Sequence, residues 1–199
     1  MTYNKPDTKL DECIFVVEKI IPADLCDSIV QDIETRSWSP HVWYQPDTGS
    51  HVSEETMELD IQHATPQLQK ILSEYVIEAG RKYNQTYSYQ HPSCVIRTGQ
   101  IMNTFSPIRF NRYSPGQIMR QHHDHIHDLF DGKRKGVPVL SFIMNFNDDY
   151  EGADLFFWED TVVKLGKGDI IMFPSNWLFP HGVTEAKKGK RYSGVCWGW

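Results

Sequence analysis

The sequence predicts an α+β fold that is mainly β, an antiparallel sandwich or barrel flanked by N-terminal helices. Two segments of helical periodicity occupy the first half, and short strand-like runs separated by turn residues fill the second. The closing segment, Arg191 to Trp199, alternates with the two-residue period of a strand. At 199 residues the chain is long enough to bury a sizeable single core.

Residues 13 to 20, Cys-Ile-Phe-Val-Val-Glu-Lys-Ile, are rich in β-branched and aromatic side chains and read as a strand. Pro22 then suits the first turn of a helix, and Leu25, Ile29 and Ile33, flanked by Cys26 and Val30, form an apolar stripe spaced by four. From Arg36 to Ser53 the pattern dissolves into a long loop carrying Trp38, Trp43 and Tyr44. Its tryptophans either line a substrate groove or cap the core, and the residues alone leave both open. Thr65 offers an N-cap, Pro66 a first helical residue, and Leu68, Ile71, Leu72, Tyr75, Val76 and Ala79 recur at helical spacing. After Tyr83 the character turns β, with strands expected at Cys94 to Arg97 and Pro107 to Tyr113, before Gly116 breaks the pattern.

Asp128 to Pro138 is a polar loop whose Lys133, Arg134 and Lys135 suit a solvated tip. In the run from Val139 to Asn147, Leu140, Phe142, Met144 and Phe146 share one face while Ser141 and Asn145 lie on the other. Short strands follow at Asp154 to Trp158, Thr161 to Leu165 and Asp169 to Phe173. Lys187 to Lys190 reads as a hairpin turn into the last strand.

Composition excludes some classes. A net charge of −6 without a long basic block argues against nucleic acid as a partner. No signal-like N-terminus and no run of apolar residues long enough for a membrane span is present, so an intracellular, cytoplasmic protein without membrane attachment is expected. The four cysteines are scattered without paired spacing, which suits small buried hydrophobes in a reducing compartment rather than a zinc ribbon.

Chemistry concentrates in one stretch. Of nine histidines, four fall between Gln121 and Asp128. Imidazoles and carboxylates are ligands for iron, zinc or copper. His122 and Asp124, two apart in an extended chain, project to the same side and can grip one ion. His181 is the best third candidate, completing the two-histidine, one-carboxylate set common in non-haem Fe(II) oxygenases. A His125 and His127 pair could also hold a metal by itself, and His123 has no assigned role. His41, His51, His63 and His91 lack ligand-like neighbours and read as ordinary surface or loop residues.

In the last strand, Arg191, Ser193, Val195, Trp197 and Trp199 share a face that the tryptophans mark as the inner one. Arg191 would then sit at the mouth of an apolar cavity, where an unpaired guanidinium is costly and an anion should meet it. A dianion such as 2-oxoglutarate could chelate the metal with one end and pair with Arg191 at the other, beside the Ser193 hydroxyl. Pairing of Arg191 with a protein carboxylate such as Glu185 is the competing expectation.

Tyr113-x-x-Gly116-x5-His122-x-Asp124 followed by His181-x9-Arg191-x-Ser193 resembles the prolyl-4-hydroxylase-like family of Fe(II)/2-oxoglutarate dioxygenases, and most nearly the bacterial PKHD-type hydroxylases. The resemblance covers roughly residues 94 to 199. It implies a double-stranded β-helix (jelly roll) with N-terminal helices packed against it, in one domain over 1–199 made of an N-terminal strand and helices (1–93) and the site-bearing core (94–199). It implies that His122, Asp124 and His181 bind iron and carry the chemistry, that Arg191 and Ser193 hold 2-oxoglutarate, and that Tyr113 lies near this cosubstrate. O2 would be the second cosubstrate and L-ascorbate an accessory. One departure is Gly152-Ala153-Asp154, where the family commonly has a second glycine and a glutamate; it is expected to affect a turn rather than the site.

The expected activity is hydroxylation of a C–H bond, of a peptidyl proline or another protein side chain. A free amino acid or small metabolite is the alternative, nucleobase hydroxylation a third, and a non-catalytic metal-binding cupin-like barrel the reading from another class.

Overall fold

In the computed structural model, which describes residues 9–45, 50–52, 58–90, 101–124 and 137–199, the first half contributes β1 (Phe15–Val17), α1 (Ala23–Glu34), β2 (Ser39–Pro40), β3 (Trp43–Gln45), β4 (Ser50–Val52), β5 (Asp60–His63) and α2 (Pro66–Gln90). The second half is β: β6 (Arg109–Tyr113), β7 (Met119–His122), β8 (Leu140–Asn145), β9 (Glu151–Gly152), β10 (Leu155–Phe157), β11 (Thr161–Val163), β12 (Ile170–Pro174), β13 (His181–Val183), β14 (Ala186–Lys188) and β15 (Arg191–Gly198). Seven strands form a sheet in the order β1-β12-β8-β15-β6-β5-β2, and four form a second in the order β11-β10-β13-β7. The fold is therefore mainly β with two helices, as the sequence pattern predicts.

Strand alternation lets the larger sheet serve two cores. Phe142 and Met144 of β8, Ile170 and Met172 of β12, and Tyr192 and Cys196 of β15 pack with the helix residues Cys26, Ile29, Ile33, Leu72, Val76 and Ala79. The intervening positions Ile143, Ile171, Phe173 and Val195 join Met119, Leu155, Phe157 and Val183 of the smaller sheet. Each large side chain so buried stabilises the fold by about 1.5–3 kcal/mol. The second core, between the sheets, is where the polar residues of β8 and β15 also point.

Several boundaries differ from the sequence reading. The first strand is shorter than 13–20, because Leu10–Cys13 forms a 3-10 turn ahead of β1. Pro22 sits at the N-cap of α1, one residue before the helix. Thr65 does cap α2, its hydroxyl accepting the Leu68 N–H at 3.3 Å. That helix continues to Gln90, past Tyr83 where the sequence suggested a change to β. Tyr83 and Tyr87, one turn apart with ring centroids at 4.4 Å, both meet the Phe15 ring of β1 edge-on, at 6.1 and 6.5 Å. Packing from a distant strand thus holds turns whose local propensity is weak.

The expected loop over 36–53 contains β2 and the β3–β4 hairpin. Trp38 packs on the helix-side core under the Arg112 guanidinium, 4.6 Å from its ring. The expected strand at Cys94 to Arg97, His91, His125 and His127, and the cationic tip Lys133 to Lys135 lie outside the described residues.

Two carboxylate bonds close the entry to β12. Asp169 accepts the Lys19 N–H at 2.8 Å and the Gly166 N–H at 2.7 Å, tying the end of β1 to the preceding turn. Gly168, at φ +88°, passes so close to this segment that a Cβ would lie 2.2 Å from the Ile21 carbonyl oxygen, which only glycine permits. Among the described residues no helix is long and apolar enough to cross a membrane.

Candidate active site

β7 ends at His122 and β13 begins at His181, and the two are direct cross-strand partners. Asp124 follows two residues after His122, and one ligand atom from each of the three lies within 4.8 Å of the others. His122 Nε2 is 3.5 Å from Asp124 Oδ1, and His181 Nε2 is 3.6 Å from Oδ2. On the far side of each ring, Nδ1 faces a backbone carbonyl, Arg120 at 2.8 Å and Phe179 at 3.1 Å. A proton on Nδ1 satisfies both carbonyls and leaves each Nε2 lone pair turned toward the carboxylate; the tautomer follows from this network. Two imidazole nitrogens and one carboxylate are the donor set of a borderline divalent ion such as Fe(II).

Burial would raise the pKa of the Asp124 carboxyl, but the charge of His181 and the hydrogen bonds of His122 and Ser141 outweigh it and hold the group well below the usual carboxylate range. Burial pushes the His181 imidazole down to about 4, against the pull of Asp124. His122 is also disfavoured as a cation by burial, yet its bond to Asp124 and that carboxylate's charge lift it above its ordinary value. The Ser141 hydroxyl donates to Asp124 Oδ2 at 2.6 Å and lies 2.8 Å from the Ser175 hydroxyl. Phe173 and Phe157 wall the His181 ring at 4.6 and 5.8 Å, and Trp43 meets the His122 ring edge-on at 5.4 Å.

Trp43 is itself held. Its indole N–H donates to Glu58 Oε2 at 2.6 Å, which also lies 3.1 Å from His41 Nδ1, while Arg120 Nε donates to the other oxygen at 3.0 Å. His41 is therefore a buried member of this network rather than an ordinary surface residue. Burial lowers its pKa, partly opposed by Glu58. His63 is exposed, as expected, and so is His123.

Arg191, 2% exposed, is aimed by two hydrogen bonds and flanked by two rings. Its Nε donates to Asn145 Oδ1 at 2.9 Å and an Nη to the Ala153 carbonyl at 2.8 Å, with Tyr113 and Tyr150 rings 5.7 and 6.0 Å away. Asn145 is in turn locked, donating to the carbonyls of Asn147 at 2.7 Å and Leu165 at 3.1 Å. Among the described residues no carboxylate pairs with Arg191, so the Glu185 alternative does not form. Tyr113 is the cross-strand partner of Arg191, and Ser193 sits between Asn111 and Asn145 on the same face.

The turn at Gly152-Ala153-Asp154 adjoins Arg191, because the Ala153 main-chain carbonyl, which a glycine there would equally supply, is one of the two anchors of that guanidinium. Gly152, at φ +74°, turns the chain where a Cβ would lie 2.2 Å from the Glu185 carbonyl oxygen, and Ala153 follows with φ +50°.

The three candidate ligands and Tyr113 line one narrow cavity, together with Arg109 and Trp197. Arg191 borders a neighbouring, more open cavity, and Leu155 lines both. The structure thus brings His122, Asp124, His181 and Tyr113 to one space; Arg191 lines the adjoining cavity, and Ser193 is buried and lines neither. Ser141, Asn145, Ser175 and Glu58 were not singled out as site residues; for Ser141 and Asn145 the signal was present, as the polar face of an otherwise apolar strand.

Residues 108–199 match the family described as the 2OG-Fe(II) oxygenase superfamily. The chain is similar to prolyl 4-hydroxylase 1 of Arabidopsis thaliana, 31% identical over 111 residues that cover 45% of this chain and 39% of that protein. It is also similar to a PKHD-type hydroxylase of Caulobacter vibrioides, 34% identical over 94 residues that cover 44% and 40%. The chain spans about two fifths of the length of these curated relatives. Among solved structures, the fold is like that of a Pseudomonas putida prolyl-4-hydroxylase, with a TM-score of 0.62 at 18% identity over 94% of this chain and 91% of that one. It is also like a Trichoplax adhaerens prolyl hydroxylase in complex with a hypoxia inducible factor peptide fragment, with a TM-score of 0.63 at 15% identity over 94% and 83%. The C-terminal β core, residues 108–199, thus matches the 2OG-Fe(II) oxygenase superfamily, and this part of the chain is similar to prolyl 4-hydroxylases and PKHD-type hydroxylases.

Proposed function

We propose that the protein is an Fe(II)- and 2-oxoglutarate-dependent dioxygenase that hydroxylates a C–H bond, of a peptidyl proline or another protein side chain. The observation that carries this reading is a two-histidine, one-carboxylate trio built into the same strand framework as Arg191, a buried guanidinium with no carboxylate partner among the described residues. His122, Asp124 and His181 hold the iron. Arg191, with Ser193 and Tyr113, takes the distal carboxylate of 2-oxoglutarate in a charge-assisted pair. Bound iron supplies the activation of O2, whose two oxygen atoms end in succinate, formed with CO2 from 2-oxoglutarate, and in the hydroxyl of the product.

The chain's own residues bind, orient and shield. Arg120 and Phe179 carbonyls fix the imidazole tautomers, Ser141 keeps the Asp124 carboxylate ionised and aimed, and Asn145 sets the pitch of Arg191. Phe157, Phe173 and Trp43 keep bulk water from the ligands.

In chain order, β6, β8, β12 and β15 of the larger sheet interleave with β7, β10, β11 and β13 of the smaller. This supports the double-stranded β-helix, and the helix-side core supports reading 1–199 as one domain. Free Cys13, Cys26 and Cys196 support a reducing, cytoplasmic setting. The names of the relatives and the peptide bound to the Trichoplax protein support a peptide substrate. A cupin-like storage barrel has no use for an anion clamp at Arg191. The test is aerobic turnover of 2-oxoglutarate with Fe(II) and a panel of peptides and metabolites, followed by mass. One added oxygen per succinate is the expected result; metal binding without any succinate would establish the storage reading instead.

A further inference from the structure

We propose that Arg109 is an anion subsite for the substrate: the molecule to be oxidised presents a carboxylate to this guanidinium, beside the metal ligands. The proposal rests on the oxygenase reading above. Arg109 opens β6, and two-residue alternation puts it on the same strand face as Asn111 and Tyr113. That face lines the cavity that contains His122, Asp124 and His181. The side chain is held in place: Nε donates to Asn111 Oδ1 at 3.2 Å, and the guanidinium carbon lies 5.4 Å from the Trp197 ring centroid.

What is missing is an anion. Among the described residues no carboxylate lies within ion-pair distance of Arg109. Glu58 is already engaged by Arg120, Trp43 and His41. A guanidinium stays charged at any physiological pH, so a partly buried one whose nearest carboxylate charge is the metal-ligand candidate Asp124, beyond ion-pair distance, is an incomplete site.

The cosubstrate does not complete it. Fe(II) brings two positive charges and Arg109 and Arg191 one each; Asp124 removes one and dianionic 2-oxoglutarate two, so one positive charge remains. Cross-strand register separates the two cations as well. Arg191 lies opposite Tyr113 and Val195 opposite Arg109, so their levels differ by four residues, about 13 Å of strand. A five-carbon dianion that meets Arg191 at one end and chelates iron at the other is fully engaged by those two partners. Arg109 is left for a second molecule, and its planar fork matches a carboxylate bidentately. Two sources share this chemistry: the α-carboxylate of an amino acid or peptide C-terminus, and an acidic side chain within a peptide.

The test uses full-length wild type, Arg109→Met and Arg109→Lys, loaded anaerobically with Mn(II) and 2-oxoglutarate and titrated by calorimetry. One arm compares N-acetyl amino acids with their amides; the other compares end-blocked dipeptides containing Asp or Glu with their Asn or Gln counterparts. In at least one arm an acid should bind wild type about 10- to 100-fold more tightly than its neutral partner. That preference should fall to about threefold or less in Arg109→Met and survive in part in Arg109→Lys, with 2-oxoglutarate affinity in the Met variant within about threefold of wild type. The arm that responds identifies the source. The proposal is overturned if no acid in either arm binds better than its neutral partner. It is equally overturned if Arg109→Met weakens 2-oxoglutarate about tenfold, which would put the cosubstrate's own carboxylate on Arg109. Failure of wild type to bind 2-oxoglutarate with Mn(II) refutes the oxygenase reading itself and removes the basis of the proposal with it.

Discussion

Replacing Ser141 by alanine isolates the role of a single hydroxyl behind the metal ligands. Ser141 is buried on β8, and its hydroxyl donates to Asp124 Oδ2 at 2.6 Å, a short bond to an ionised acceptor. Removing it leaves Asp124 with its two histidine neighbours but without the donor that holds its second oxygen. A hydrogen bond to a charged group contributes about 1.5–3 kcal/mol, and at about 1.4 kcal/mol per tenfold this corresponds to roughly a 10- to 100-fold loss of metal affinity. Ser175 provides the control, because its hydroxyl lies 2.8 Å from that of Ser141. Ser175→Ala spares the bond to Asp124 and should cost about threefold or less. Calorimetric titration of metal-free protein with Mn(II) at pH 8 measures both. If Ser141→Ala binds Mn(II) within about threefold of wild type, Asp124 does not depend on this bond and the reasoning fails.

Asn145→Ala strands the Arg191 Nε and the carbonyls of Asn147 and Leu165 in a buried site, and should destabilise the fold by about 3–5 kcal/mol in urea unfolding. A loss under about 1 kcal/mol would mean that this network is not what holds Arg191. Asp169→Ala removes two bonds from backbone N–H groups and should cost about 2–4 kcal/mol, read as a lower urea midpoint with unchanged slope. His181 sets an acid window in the metal-free protein. Its pKa is about 4 when folded and about 6.5 when unfolded, so over this range the unfolded chain binds the extra proton and stability falls as pH drops from 6.5 to 4. His181→Gln should flatten that slope; an unchanged slope in the variant assigns the acid loss to another group.

Much of the site was legible because strands encode it locally. His122 and Asp124 come together at two-residue spacing, although β7 ends at His122 and Asp124 lies just past it, while Arg191 and Ser193 share a face of β15 by alternation. The alternation over 139–147 likewise anticipated a β8 with two different faces. What alternation cannot convey is which distant segment meets a given face. The length of α2 depends on Phe15 of β1, some seventy residues away in sequence. Trp43 is positioned by Glu58 and His41, which lie on separate loops and carry no shared spacing. The second anchor of Arg191 is a main-chain carbonyl, that of Ala153, and a backbone acceptor leaves no residue-type signal. Arg109 was visible only as one charged residue in a strand, and its meaning arises from the cavity that it lines.

The central claim is that one metal and one 2-oxoglutarate share the space between His122, Asp124, His181 and Arg191. Anaerobic addition of Fe(II) and 2-oxoglutarate, watched for the visible metal-to-ligand charge-transfer absorption of the chelate, tests it directly. The account predicts that the band forms in wild type, is lost in Asp124→Ala, and requires about 100-fold more 2-oxoglutarate in Arg191→Met. No band in wild type, or the same 2-oxoglutarate dependence in Arg191→Met as in wild type, would contradict it.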